Sequence, residues 1–191
     1  MWLGMGVALA RAGTSSEVVV ARPVAGHPVF ELRIGADRVD PTHPFLCAEG
    51  SPTAWLSLEA CGTGAGILHQ DPAPDMAHFR ARGRVLGASS GRRSADWWVG
   101  AGFTEVQRTT DAPGFDFGRP EPGPSGEAPI EAAGPEVSTG VKGRYWFDPG
   151  ARAFLSADLH LGAAVIPGAP AVMDSPGPVV PFGAFTVGVG F

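Results

Sequence analysis

The chain ends Phe182-Gly-Ala-Phe-Thr-Val-Gly-Val-Gly-Phe191. Taken in twos, Phe185, Val187, Val189 and Phe191 share one face, and Ala184, Thr186, Gly188 and Gly190 the other. Such alternation marks a strand with two environments. A strand of a water-soluble sheet sets large apolar side chains against charged or polar ones. Here the second face is small and almost featureless, as in a strand whose large residues face lipid and whose small ones face a crowded barrel lumen.

The composition fits that reading. Of 191 residues only 17 % are charged, 44 % are apolar, and 28 glycines and 19 prolines punctuate the chain, which describes one turn-rich β domain over 1–191. A net charge of −5 offers nothing to nucleic acid. No run reaches the roughly 18 apolar residues of a transmembrane helix, a fact that leaves a barrel open because barrel strands alternate.

Working back from Phe191, alternating segments occupy 151–166, 136–148, 96–109, 77–88, 53–68 and 29–39. Residues 1–12 either form a first strand, with Leu3, Met5, Val7 and Leu9 on one face, or are the remnant of a signal peptide, in which case the β-branched run 17–22 takes that place. Both choices predict eight strands, an even number as an up-and-down transmembrane barrel requires. The connections at 89–95 and 148–150 are short, and those at 111–135 and 167–181 are long and Pro/Gly-rich. Short turns belong to the periplasmic end of such barrels and long loops to the outside. Residues 40–52 read as a turn and are the exception, a long periplasmic connection. Trp2, Trp55, Trp97, Trp98 and Trp146 then gather at the periplasmic rim beside Phe191, where amphipathic rings favour a membrane interface.

The opposite faces carry Glu31, Arg33, Asp37, Glu59, Arg80, Arg82, Arg84, Asp96, Lys142, Arg144, Arg152, Asp158 and His160. An eight-stranded lumen is just wide enough for side chains to fill, so these charges are expected to pair and plug it. The basic ladder Arg80, Arg82, Arg84 also allows a narrow pore or ligand pocket. Ser156, Asp158 and His160 suggest a catalytic triad, but alternate residues on a strand stand roughly 6.7 Å apart. Hydrogen-bonded catalytic neighbours need about 2.6–3.2 Å, so no catalytic set is assigned. Gly62, Gly64 and Gly66 lack the Lys and helix of a phosphate loop. Cys47 and Cys61 flank a turn between strand candidates; a disulfide in an oxidising compartment is the favoured reading, with two buried thiols as the alternative. With no CxxC pair and no histidine cluster, neither a metal site nor a cofactor is expected.

The eight alternating segments, the long and short connections and the terminal Phe191 resemble the small bacterial outer-membrane β-barrels of the OmpA/OmpX type, in an uncharacterised subfamily. Val187-Gly-Val-Gly-Phe191 resembles their C-terminal assembly signal, with Thr186 at a position where that signal usually has Gly. The resemblance implies an outer-membrane location, lipid and the barrel-assembly machinery as partners, a monomer, and a structural or surface-interacting role through the outer loops. Lipid A deacylases carry His-x-Ser on a late strand; His160-Leu-Gly162 has Gly in place of Ser, so that activity is not carried over. Two rivals remain: a small-solute channel or lipid-modifying barrel enzyme, and a soluble lipocalin-like barrel with every face inverted.

Overall fold

The computed structural model describes residues 28–64, 74–108, 115–117, 130–147, 153–173 and 175–191. Eight antiparallel strands form a closed barrel: β1 (Phe30–Asp37), β2 (Phe45–Gly50), β3 (Leu56–Gly62), β4 (Asp75–Ser90), β5 (Arg93–Gln107), β6 (Glu131–Trp146), β7 (Phe154–Val165) and β8 (Val179–Gly190). A single helical turn, α1 (Ala169–Val172), lies between β7 and β8. Each strand pairs with its sequence neighbours, and β1 pairs with β8 from Glu31↔Gly190 to Asp37↔Ala184, so no edge is left along the closed wall. Phe191 completes the seam: its backbone exchanges hydrogen bonds with Phe30 at 3.0 and 3.1 Å.

The number of strands agrees with the sequence reading, but their identity does not. Residues 40–52, expected as a turn, contain β2; the candidates at 1–12 and 17–22 lie outside the described residues. The reason is chemical. In β2, Phe45, Cys47 and Glu49 point inward while Leu46, Ala48 and Gly50 point outward. A lumen that accepts an aromatic ring, a sulfur and a carboxylate leaves no polar/apolar alternation to detect. The long loops shrink for a related reason. Glu131–Pro135 belongs to β6 and Val179–Pro181 to β8, because prolines sit in strand positions there. The turn expected at 89–95 tightens to Gly91-Arg92, with Gly91 at φ 57°, a left-handed conformation that glycine adopts without Cβ strain.

Burial alternates with the pleat. On β7 the inward residues Phe154, Ser156, Asp158 and His160 are buried, and Leu155, Leu159 and Leu161 are exposed. The lumen is stratified. At the mouth where β1 turns into β2, Met76, Val106, Ala132, Ala164, Val180 and Phe182 pack around Ile166, Ala169 and Val172, so α1 folds inward as an apolar plug. Below it lie Phe45, Ala184 and the disulfide, then the charged layer, then Trp146 and Phe154, whose rings are 4.8 Å apart. Glycines admit the large rings: a Cβ on Gly140 would come within 2.7 Å of the Trp98 ring.

Candidate functional site

The chemistry of this chain is concentrated in the charged layer. Its members are brought together by closure, since no strand contributes more than three of its charged groups. Arg33 donates to Glu31 at 2.9 Å and Glu49 at 2.6 Å, and also bonds Glu59. Arg82 reaches Glu49 at 2.9 Å and Asp158 at 2.5 Å, and pairs with Glu59 as well. Lys142 bonds Glu31 at 3.1 Å and Glu49. Arg80 donates through Nε to Glu59 at 2.5 Å. Among the described residues, Arg33, Arg80, Arg82 and Lys142, with Arg144 at 4.0 Å from Glu31, face the carboxylates of Glu31, Glu49, Glu59, Asp158 and Glu136. Desolvating one such charge alone costs several kcal/mol, which accounts for the density of pairing.

Two histidines extend the network upward. Arg80 Nη2 lies 2.9 Å from His160 Nε2. A guanidinium only donates, so Nε2 accepts and the ring proton sits on Nδ1, which donates to Asp158 at 3.1 Å. His78 is held by Glu136 at 2.6 Å and Thr104 at 3.1 Å. Trp98 lies under the Arg82 guanidinium at 3.4 Å, a cation–π contact between two buried side chains. Ser156 donates its hydroxyl to Glu31 at 2.7 Å, so Ser156, Asp158 and His160 do not assemble as a nucleophile and its base.

The expected lumen residues Glu31, Arg33, Asp37, Glu59, Arg80, Arg82, Asp96, Lys142, Asp158 and His160 are all buried. Arg144 is largely covered and bonds Asp96. Arg84 departs from the ladder. A bulge between Arg84 and Leu86 turns the strand, and Arg84 ends half-exposed at the rim, 2.8 Å from Asp96. Arg152 and Trp2 lie outside the described residues. Glu49, which holds three cations, was missed because its segment read as a turn; its position two residues from the inward Cys47 was the available signal. Of the tryptophans, Trp55 and Trp97 point outward with Phe191, whereas Trp98 and Trp146 are buried in the lumen. Adjacent residues of one strand face opposite ways, so Trp97 and Trp98 cannot both line an outer rim.

Cys47 and Cys61 are direct partners of β2 and β3 and form a disulfide inside the lumen. Their sulfurs lie near the Glu59 carboxylate, but being bonded to each other they offer no thiolate to a metal.

No protein-family model matches the chain, and no curated protein matches it. A solved structure to which it is similar is the N-terminal β-barrel domain of Pseudomonas aeruginosa OprF, at 12 % identity and a TM-score of 0.44, covering 87 % of this chain and 98 % of that one.

Proposed function

We propose that this chain is an integral outer-membrane β-barrel whose lumen is filled, acting as a structural or surface-interacting protein and not as a pore. One observation carries the reading: the distribution of polarity is inverted relative to a water-soluble domain. Val137, Leu159 and Phe185 are 65, 61 and 52 % exposed on the outer wall, while arginines and carboxylates are buried inside. A soluble lipocalin-like barrel requires the opposite, with Leu155, Leu159 and Phe185 inward. Exposed as one continuous surface in water, such a wall would drive aggregation.

The dimensions agree. Leu155 to Val165 on β7 are ten residue steps, about 34 Å along the strand. Tilted by about 40°, that is a height of about 26 Å, close to the apolar band of about 25 Å on outer-membrane barrels. Polar groups on this wall are satisfied locally: the Trp97 indole donates to Thr139 at 2.8 Å, and Thr139 donates to the Trp98 carbonyl at 2.8 Å. Against a conducting lumen stand the cross-barrel ion pairs and the apolar plug above them. The outer wall is closed through Phe191 and Phe30, with Phe191 exposed on it, which suits a monomeric barrel surrounded by lipid.

Cell fractionation with gel migration before and after boiling tests the proposal. The protein is expected with outer membranes and to migrate faster unboiled. A detergent-independent soluble monomer overturns the membrane reading, and steady single-channel conductance overturns the filled lumen.

A further inference from the structure

Residues 115–117, between β5 and β6, lie against the barrel wall. Glu105 and Ala133 occupy outward register positions, yet they are 5 % and 0 % exposed, unlike the outward residues farther along the same strands. The segment Phe115-Asp116-Phe117 covers this part of the wall. The Ala133 amide donates to the Asp116 carbonyl at 2.6 Å. Phe115 and Phe117 set their rings against Phe103 at 4.8 and 5.3 Å, and Phe115 also meets Phe79 at 5.4 Å. Phe79 and Phe103 are register partners on the outer wall, stacked at 5.1 Å.

We infer that residues 115–117 form a strap inserted into the membrane, with Phe115 and Phe117 in contact with lipid acyl chains of the outer leaflet. The inference rests on the membrane reading above and adds to it a three-residue segment, outside the strands, that is also in lipid. Its occupant follows from chemistry. Both rings keep about half their surface open, continuous with the apolar wall, and phenylalanine lacks the polar handle by which Tyr and Trp engage headgroups. The Asp116 carbonyl is already satisfied by Ala133, as a backbone carbonyl at membrane depth must be.

Site-directed spin labelling in phosphatidylcholine vesicles tests it. The native cysteines are joined to each other, so one added cysteine is labelled alone. Labels go on Phe117→Cys, on Leu159→Cys as the wall reference and on Ser89→Cys as the aqueous-turn reference. Collisions with oxygen and with a water-soluble nickel chelate are then compared. The label at 117 is expected to lose nickel contact and gain oxygen contact to the level of the one at 159. If it matches the label at 89 while 159 remains in lipid, the strap is overturned and the membrane reading stands. If 159 is itself open to nickel, both fall. A Phe115→Ser/Phe117→Ser variant supplies a second readout. Exchange of the Ala133 amide is expected to quicken while heat-modifiable migration persists, and unchanged exchange counts against the strap.

Discussion

Arg33 and Glu49 meet at 2.6 Å across β1 and β2, two residues off register, since the direct partner of Arg33 is Cys47. The diagonal places Glu49 between Arg33, Arg82 and Lys142, three buried cations that converge on it as Arg33, Arg80 and Arg82 converge on Glu59. Glu49→Ala would leave those cations short of a counter-charge in a desolvated layer. We expect a loss of about 3–5 kcal/mol in urea-induced unfolding from vesicles, read by gel shift. A loss under about 1 kcal/mol would mean that water reaches the layer and that the lumen is not dry, since exposed ion pairs contribute little.

The disulfide joins strands that are already paired, over a separation of 14 residues. Its contribution is therefore mainly restriction of the unfolded chain, on the order of 3 kcal/mol. Cys47→Ala/Cys61→Ala is expected to fold to the same heat-modifiable barrel with a lower unfolding midpoint. Failure to form the barrel at all would assign the bond a role in assembly.

The plug covers the charged layer at the mouth where β1 turns into β2. Met76 lies beneath α1 at 1 % exposure, packed with Ile166 and Val172. Replacing residues 168–177 by a short Gly/Ser linker is expected to speed peroxide oxidation of Met76, followed by mass spectrometry, because a thioether oxidises as it becomes accessible. Conductance is expected to stay closed, since the ion pairs below remain. Equal oxidation rates with and without α1 would remove the plug from the account.

In the turn between β1 and β2, burial raises the proton affinity of Asp40, but hydrogen bonds from the Thr42 hydroxyl at 2.5 Å, from His43 at 2.8 Å and from the Thr42 amide at 3.0 Å outweigh it and hold the carboxyl below its ordinary range. A carboxyl depressed on folding adds stability that is complete above its unfolded value near 4 and is lost as pH falls through its lower folded value. Thr42 amide protection should therefore weaken only in acid, and Asp40→Asn should flatten that dependence. A Thr42 profile unchanged by Asp40→Asn would show that the carboxylate does not hold the turn.

The wall is uneven. Strands β1, β2 and β3 have 8, 6 and 7 residues, while a spanning strand needs about 9–11. The bilayer is expected to thin beside them, so folding yields should be higher in short-chain than in long-chain phosphatidylcholine vesicles. Equal yields would indicate that β1–β3 are not the mismatched side.

The alternation of Phe182–Phe191, and of Leu155, Leu159 and Leu161 against Asp158 and His160, is enough to name a β-barrel with inward charges, because strand side chains reverse at every residue whatever the tertiary context. The expected count of eight rested on 1–12 or 17–22, whereas the closed barrel includes β2. Local pattern was silent where the lumen is chemically mixed. Phe45, Cys47 and Glu49 share an inward face that no hydropathy scale treats as one environment, so β2 emerged only from its pairing with β1 and β3. The same limit hid the fates of the loops. Ile166 and Val172 fold inward and Phe115 and Phe117 fold onto the outer wall, and neither segment has a period that announces its destination. Closure brought Arg82 to Asp158, 76 residues away, and set Glu49 and Glu59 among three cations each. Long-range pairing depends on register around a closed ring, a property of all eight strands together and of no single stretch.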